Sequence, residues 1–380
     1  MVIVFTVGQF LLIIWVVIYL VLNTHFLEKV EPVREKHEEW PMISVCVPAR
    51  NEERDLRACL ASLLEQDYPH FEVIVVDDNS TDGTLGIIRS MQSQYSHLVA
   101  IQGDPLPEDW YGKPFALHQA SRKARGDWLL FTDADPVFTP QTLATAMRQI
   151  ETHRLDMLTL LPGADFGSFW ERAVQPVIFA FIAALTRFRK VNDPQSSSAM
   201  GVGAFIMVRR EMYDRIGGHM PLKQAILEDI GMARLMKQSG AHIRIADGQH
   251  LYSIRMYHSL REIWVGWRKN IFIAMKQSIF KTLYYIFWIF GFVLTPWLVA
   301  GYHLWVQPEW WLQGMAGTGL AMVVVTQAAL CHELKLEKRY LFLFPLGALV
   351  MAAIMINSMI QVRFRGGSEW RGRTYSQPEK

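Results

Sequence analysis

Four long apolar stretches constrain the fold of this chain more than any other feature of its sequence. Residues Val2–Leu22 carry no charged side chain, and three further stretches lie in the C-terminal third, at about Phe280–Val306, Trp310–Cys331 and Leu341–Val362. A bilayer core is about 30 Å thick and is crossed by roughly 20 helical residues, so each stretch is long enough to span it. Roughly 250 residues of ordinary globular composition separate the first stretch from the others. We therefore predict one soluble domain held between membrane helices.

The first stretch is predicted to be a retained anchor. The alternative is a signal peptide, but the stretch lacks a basic start and a small-residue cleavage site. No side-chain charge precedes the span, whereas Lys29, Arg34 and Lys36 follow it. The positive-inside rule then places the soluble domain on the cytoplasmic side, with the N-terminus outside. Together with the three later stretches, this predicts a multi-pass protein of the cell (inner) membrane.

The C-terminal tail conflicts with a simple count of spans. Lys335, Lys338 and Arg339 lie in the loop before the last stretch, in agreement with a cytoplasmic soluble domain. The tail at 363–380 is Arg-rich and therefore also predicted to be cytoplasmic, yet four simple spans put it outside. Two explanations stay open: one C-terminal segment is re-entrant, or the tail is an exception to the rule.

The overall composition narrows the classes of partner. A formal net charge of +2 over 380 residues is too small for nucleic acid to be the main partner. Three scattered cysteines are too few for a disulfide framework or a zinc site, which fits a reducing compartment. No obligate protein partner is evident.

Predicted strands and helices alternate through the soluble domain. Strands are predicted at 43–47, 72–76, 99–102 and 128–131, with helices at 52–66, 81–90 and 115–125 between them. This alternation is typical of a doubly wound α/β sheet. The predicted organisation is an anchor (1–24), a linker (25–41), an α/β domain (42–255), an interfacial helical segment (256–281), a C-terminal membrane domain of about three hydrophobic segments (282–362) and an Arg-rich tail (363–380).

Polar clusters follow three of the predicted strands. They are Ala49-Arg50-Asn51-Glu52 after Pro48, then Asp77-Asp78-Asn79, and Asp133-Ala134-Asp135. Ligands of such sheets bind beyond the carboxyl ends of the strands, where these clusters are expected to lie side by side.

Asp133 and Asp135 are predicted to hold Mg²⁺ or Mn²⁺. Both cations favour carboxylate and phosphate oxygens, and a metal there would neutralise the charge that builds on a departing diphosphate. A lone Asp-x-Asp is more often a capped turn. The two neighbouring clusters favour the metal site.

Four other side chains are candidates for binding a nucleotide. Asp77 or Asp78 can accept hydrogen bonds from a base or ribose, although an Asp pair also caps turns. Arg50 and Glu52 are placed in the same site, with a surface ion pair as the alternative.

A further lysine is a candidate for binding the phosphates. Lys113 follows Trp110-Tyr111-Gly112 in a predicted loop, and its ammonium can pair with phosphate. A solvated loop lysine is the alternative.

Glu228 and Asp229 are the candidate catalytic carboxylates. They precede a predicted helix, where the helix dipole alone would favour acidic residues. The functional interpretation is that Asp229 takes a proton from the acceptor hydroxyl, which requires hydrogen-bond reach of that proton. The Gly-rich segment 200–205 is predicted to form the floor of the acceptor site.

Two stretches mix aromatic, apolar and basic residues, at 169–189 and 260–281. The first has an apolar run too short to span a bilayer. Such mixtures favour helices in the headgroup region, and packing against a core under a charged surface is the alternative. An interfacial position would bring a lipid acceptor to the enzyme.

Together these motifs resemble glycosyltransferase family 2, and within it the membrane-bound branch of carotenoid (diaponeurosporenoate) and hopene-associated enzymes. The resemblance runs from about Ile43 to the tail. Its family-wide markers are Val47–Glu53, Val75–Asp82, Trp110–Lys113, Asp133–Asp135 and Glu228-Asp229; its branch markers are Arg255–Tyr257, Gly266–Lys269 and Glu369–Tyr375.

The resemblance implies a GT-A fold, a UDP-sugar donor, a Mg²⁺ or Mn²⁺ ion and inversion at the anomeric carbon. Carried over by position, Asp78 or Asp77 would contact the nucleobase, Asp135 the metal, and Asp229 would be the base. Pro48 belongs to the nucleotide-sugar site by the same motif match, and Arg268 would face the diphosphate.

Three functions are compared. The first is transfer of one sugar to a membrane lipid such as a carotenoid or hopanoid. The second is processive polysaccharide synthesis, which the altered stretch Trp264–Lys269 argues against because it lacks the Gln and final Trp of the processive Gln-x-x-Arg-Trp motif. The third is a non-catalytic membrane scaffold, which intact Asp135 and Asp229 argue against.

Overall fold

The computed structural model describes residues 1–33, 39–306, 309–364, 368–370 and 373–375. The chain divides into two compact units. An α/β unit comprises Leu27–Asp165 and Arg187–Met256, and a helical unit comprises Met1–Phe26, Phe166–Thr186 and Tyr257–Lys380. Residues 166–186, within the predicted domain 42–255, thus group with the helical unit. Four basic residues used in the topology argument lie outside the described residues: Arg34, Lys36, Arg365 and Arg371.

The strands are β1 (Ile43–Ala49), β2 (Phe71–Asp77), β3 (Leu98–Gln102), β4 (Trp128–Phe131), β5 (Val137–Phe138), β6 (Met157–Leu161), β7 (Gly163–Ala164), β8 (Ile206–Arg209), β9 (Ile243–Asp247), β10 (Tyr252–Ile254), β11 (Ser368–Trp370) and β12 (Arg373–Tyr375). The α-helices are α1 (Val2–His25), α2 (Leu56–Leu64), α3 (Thr84–Gln92), α4 (Gly112–Lys123), α5 (Thr142–His153), α6 (Phe169–Leu185), α7 (Phe188–Asn192), α8 (Arg210–Arg215), α9 (Glu228–Gln238), α10 (Leu260–Ala274), α11 (Ile279–Ile289), α12 (Thr295–Trp305), α13 (Trp310–Glu333) and α14 (Phe344–Phe364). Short 3-10 helices span Met220–Leu222 and Lys338–Leu343, and a π-helical turn, Phe290–Leu294, joins α11 to α12.

A seven-stranded sheet forms the centre of the α/β unit, in the order β3-β2-β1-β4-β8-β6-β9. The first four of these strands are parallel, as predicted, with Val45 of β1 opposite Val73 of β2. Strand β8 runs antiparallel to both of its neighbours, so the sheet is mixed. The predicted α/β class is confirmed, and all four predicted strands are present.

Hydrophobic periodicity explains the helices that cover this sheet. Buried residues on α2 recur at three- and four-residue spacing and include Leu56, Leu60 and Leu63. They join the side chains of β1 in one core, where Val45 and Val47 are fully buried. Because β1, β2 and β4 are parallel neighbours, their carboxyl ends meet at one edge of the sheet. That edge carries the predicted polar clusters.

Among the described residues of the helical unit, four helical segments are long and apolar enough to cross a membrane, judged by length and composition. They are Val2–His25, Ile279–Trp305, Trp310–Glu333 and Lys338–Arg363. Helices α6 and α10 both pack on α14 within this unit, and the closest approach is at Gly347, where a Cβ would collide with the backbone oxygen of Ala173. Some polar side chains of this unit pair with one another: Thr6 pairs with His303 at 2.8 Å, and Gln9 donates to Thr295 at 2.7 Å. Such pairing is expected for polar groups in an apolar surrounding.

Candidate active site

Lys113 stands at the centre of the site, because its ammonium pairs with carboxylates from two other elements. Its Nζ lies 2.7 Å from Oδ1 of Asp133, in the segment after β4, and 2.6 Å from Oε1 of Glu228, at the start of α9. Glu228 is buried, and Asp133 is partly exposed. Lys113 lies in the first turn of α4, so three separate elements of the α/β unit converge at one cation. The alternative of a solvated loop lysine is excluded.

Asp229 is held by two backbone amides. The N–H of Gly203 donates to its Oδ2 at 3.1 Å, and the N–H of Ile230 donates to its Oδ1 at 2.8 Å. Two glycines make this arrangement possible. A Cβ on Gly203 would lie 3.0 Å from Nζ of Lys113, and a Cβ on Gly201 would collide with the backbone oxygen of Asp229. The Gly-rich segment predicted to form the floor of the acceptor site therefore lies against Lys113 and Asp229.

The charges of the site shift each other's protonation. Burial opposes the charge on Lys113, but the carboxylates of Asp133, Glu228 and Asp229 hold the pKa of this lysine well above its usual range. Burial, followed by repulsion from Glu228, raises the pKa of Asp229 to about 7, and the Lys113 ammonium partly opposes this rise. A carboxylate with a pKa near neutrality is suited to general-base catalysis.

The two aspartates predicted to bind metal follow β4 in one short segment, 133–135, and both are half-buried. Among the described residues, no group of three or more His, Cys, Asp or Glu side chains is placed to hold a metal ion. Mg²⁺ is commonly held by one or two carboxylates together with substrate phosphates. A pair of carboxylates therefore fits a metal that is bound jointly with a diphosphate. Asp135 stays the residue predicted to hold the metal, with Asp133, which also pairs with Lys113, beside it.

The ends of β1 and β2 carry the residues predicted to bind nucleotide. Asp77 is buried at the end of β2, and its Oδ1 has no hydrogen-bond partner among the described residues. Nη1 of Arg50 donates to the carbonyl oxygens of Asp78, at 2.5 Å, and Asn79, at 3.0 Å. Arg50 thus anchors the loop after β2. Gly103 packs closely against the end of β2, since a Cβ at this position would lie 2.9 Å from the backbone oxygen of Asp77.

Pro48, Glu52 and Arg268 complete the set of predicted residues. Pro48 lies within β1. Glu52 follows the end of this strand, and the backbone N–H of Glu52 donates to the Thr84 hydroxyl at 2.8 Å. Arg268 belongs to α10 in the helical unit, and its predicted contact with the diphosphate stays a prediction.

His219 also belongs to the site, although no sequence pattern pointed to it. It is 2% exposed and lines a small cavity together with Lys113, Glu228 and Asp229. Burial, with smaller effects from His118 and Lys113, lowers the pKa of His219 to about 3, so its ring is neutral. A single histidine after Gly217-Gly218 has no recognisable spacing, and only the fold brings it to the site.

Residues 44–217 match the family model described as glycosyl transferase family 2. The chain is 25% identical over 346 residues to a 4,4'-diaponeurosporenoate glycosyltransferase of Staphylococcus aureus (strain MRSA252), with 88% of each chain covered. Among solved structures, it is similar to a mannosyltransferase of Pyrobaculum calidifontis in complex with GDP-Man and Mn²⁺, with a TM-score of 0.49, 19% identity, and 95% and 97% of the two chains covered. A glucosyl-3-phosphoglycerate synthase of Mycobacterium tuberculosis is similar with a TM-score of 0.41 and 17% identity, covering 66% of this chain and 86% of the other.

Proposed function

We propose that this chain, whose residues 44–217 match the model of glycosyl transferase family 2, transfers a single sugar from a UDP-sugar to a membrane lipid, with inversion at the anomeric carbon. The observation that carries the proposal is the meeting of Asp133, Glu228 and Asp229 around Lys113. This constellation offers a metal-binding carboxylate, a cation for a phosphate and a base in one site.

Asp229 performs the proton transfer. Its carboxylate takes the proton from the acceptor hydroxyl while that oxygen attacks the anomeric carbon on the face opposite the diphosphate. The new glycosidic C–O bond forms as the bond to the diphosphate breaks, and UDP leaves with the bonding electrons. The two backbone N–H donors keep the carboxylate pointing in one direction, which favours a reactive geometry.

Lys113 and the aspartate segment bind the leaving group. The Lys113 ammonium is shared between Asp133 and Glu228 in this structure and provides positive charge that a diphosphate can also use. Asp135, with Asp133 beside it, would hold Mg²⁺ or Mn²⁺ against the diphosphate. When bound, the metal neutralises the negative charge that the leaving UDP acquires.

The ends of β1 and β2 bind the nucleoside. The unpaired Oδ1 of Asp77 is suited to accept a hydrogen bond from the base or the ribose, because a buried acceptor without a partner is destabilising until a ligand supplies a donor. Arg50 keeps the loop after β2 in place through its two carbonyl contacts.

The membrane helices support a lipid acceptor. A catalytic domain that is covalently joined to four apolar helices is confined to the neighbourhood of a bilayer. A relative named for glycosylating 4,4'-diaponeurosporenoate, a carotenoid, agrees with an acceptor of this class. The same confinement supports the proposed membrane location.

The base is tested with Asp229→Asn in purified protein. We expect transfer to fall by at least about 100-fold, the loss typical of a missing general base, while UDP binds with nearly wild-type affinity. Asp214→Asn, at an exposed position of the same unit, is the matched control and should retain full activity. Normal turnover by Asp229→Asn would refute the assignment of the base.

The metal and the stereochemistry need separate experiments. EDTA should stop turnover, and added Mn²⁺ or Mg²⁺ should restore it; full activity in EDTA would leave the aspartate pair with a structural role. Proton NMR of the first product formed should show the anomeric configuration opposite to that of the donor. Retention of configuration would contradict direct displacement.

A further inference from the structure

His219 has one ring nitrogen in a defined hydrogen bond and one that has no hydrogen-bond partner among the described residues. Its Nδ1 lies 2.8 Å from the hydroxyl oxygen of Tyr213. No described residue makes a hydrogen bond to Nε2. The ring lines the cavity beside Asp229 and Lys113, and it is almost fully buried.

A chain of hydroxyl groups fixes which nitrogen of His219 carries the proton. The hydroxyl of Ser121 donates to the carbonyl oxygen of His118 at 2.9 Å, and the hydroxyl of Tyr213 donates to the oxygen of Ser121 at 2.9 Å. Each hydroxyl has one proton, and the carbonyl at the end of the chain can only accept. Tyr213 therefore has no proton left for His219 and must accept one from Nδ1. The neutral ring then carries a lone pair on Nε2.

The cavity restricts what can use that lone pair. The volume open to the centre of a water molecule is about 10 Å³, so the cavity has room for one water or one hydroxyl. Its other walls are mostly apolar: Leu117, Phe131, Ile206 and Met232. A group that fits must donate to Nε2 of His219. The Lys113 ammonium has three N–H donors and uses two of them for its ion pairs. The third N–H favours a group that can also accept a hydrogen bond.

A sugar hydroxyl meets both requirements, because it donates one hydrogen bond and accepts others. We propose that His219 is a specificity-determining residue whose Nε2 accepts a hydrogen bond from one hydroxyl of the donor sugar, while Lys113 donates to the same oxygen. This inference rests on the proposed function. It implies that the donor is an ordinary hexose at that position, since an acetamido group is too large for a cavity of this size.

The test compares binding of a nucleotide-sugar with binding of the bare nucleotide. Titration calorimetry on the full-length protein in detergent, with Mn²⁺, uses UDP, UDP-glucose, UDP-galactose, GDP and GDP-mannose as probes. His219→Asn keeps a donor for Tyr213 but is too short to present an acceptor to the cavity. We expect this variant to bind the preferred nucleotide-sugar about 3- to 10-fold more weakly than wild type, the effect of one neutral hydrogen bond, and the bare nucleotide with unchanged affinity.

Two further variants separate the hydrogen bond from packing. Tyr213→Phe removes the acceptor for Nδ1, so the ring can move its proton to Nε2, and the nucleotide-sugar should again bind more weakly although Tyr213 does not line the cavity. His219→Gln, which reaches further than Asn and carries an amide oxygen, should recover part of the affinity. His250→Asn, at an exposed position of the same unit, should change nothing.

The outcomes are distinct. Nucleotide-sugar affinity that is unchanged in both His219→Asn and Tyr213→Phe overturns the inference. Equal weakening of the nucleotide-sugar and the bare nucleotide also overturns it, because it assigns His219 a structural role. Wild-type protein that binds none of the nucleotide-sugars overturns the proposed function itself, and the inference with it.

Discussion

Lys113→Met removes the cation that the carboxylates of the candidate active site share, and it should move the pH dependence of catalysis. Asp229 works as a base only when it is deprotonated. With its pKa raised to about 7, the wild-type kcat/KM should fall as pH falls through about 7, since kcat/KM reports the free enzyme. The Lys113 ammonium opposes that rise. Its removal should shift the acidic limb to higher pH.

The size of the shift follows from the distance between the two charges. A Cβ on Gly203 would lie 3.0 Å from Nζ of Lys113 and 3.5 Å from Oδ2 of Asp229. The two atoms are therefore no farther apart than the sum of these distances, about 6.5 Å. At an effective dielectric constant of about 20, the attraction at this largest separation is about 2.5 kcal/mol, which is a lower limit. Because the Lys113 side chain is 34% exposed, we discount this by roughly half for solvent screening, which leaves a shift of about one pH unit.

The assay is the pH profile of kcat/KM from pH 5 to 9, measured with purified protein and a saturating metal concentration. Lys113→Arg keeps the charge and should leave the limb near its wild-type position. Lys123→Met, at an exposed position on the same helix, controls for loss of a lysine. A limb that stays in place or moves to lower pH in Lys113→Met would refute the electrostatic coupling of Lys113 and Asp229.

Three further substitutions test other parts of the structure. Gly203→Ala places a methyl group 3.0 Å from Nζ of Lys113, so kcat/KM should fall about 10-fold or more with little change in the unfolding temperature. Asp77→Asn should weaken UDP binding by roughly 3- to 10-fold in calorimetry, because it changes the unpaired acceptor at the end of β2; unchanged binding would remove Asp77 from the nucleotide site. Gly347→Ala forces a Cβ against the backbone of Ala173. Overpacking of this kind should lower the free energy of unfolding by roughly 1–3 kcal/mol, and the helical unit should unfold at a lower temperature. Equal thermal stability would contradict the close packing of α6 and α14.

Much of the α/β unit could be predicted because its signals are local. The apolar runs that form β1, β2 and β4 are short, rich in β-branched or aromatic residues and bounded by polar turns, and they appear where expected. The α/β class is confirmed by the central sheet, and residues 44–217 match the model of glycosyl transferase family 2. The antiparallel β8 was not predicted, because strand direction depends on the route of the chain between strands.

The candidate site was only partly predictable. Strand ends carried Asp77 and Asp133 into one region, since parallel neighbours share an edge. The pairing of Lys113 with Glu228 could not be deduced, because the two residues are far apart in sequence and no periodicity relates them. No sequence pattern indicated that His219 belongs to the site. Its role depends on a hydrogen-bond chain through Tyr213 that exists only in the folded protein.

In the helical unit, too, some features could be predicted from the sequence and others could not. Composition predicted four apolar segments, and the part of the chain that the structure describes has four helical segments with the length and hydropathy expected of a span. Which side of the membrane each loop faces stays a prediction. The grouping of 166–186 with the helices that follow residue 257 required the fold, because the amphipathic pattern of α6 is equally consistent with packing on a sheet.

We propose that Asp229 is the base in the transfer of one sugar to a lipid. The most direct test is mass spectrometry of the lipids of a heterologous host that produces a carotenoid or hopanoid acceptor and expresses either the wild-type protein or Asp229→Asn. We predict a lipid heavier than the acceptor by a single sugar residue in cells with the wild-type protein, and none in cells with the variant. A ladder of several sugars, or the same product with both proteins, would contradict the account.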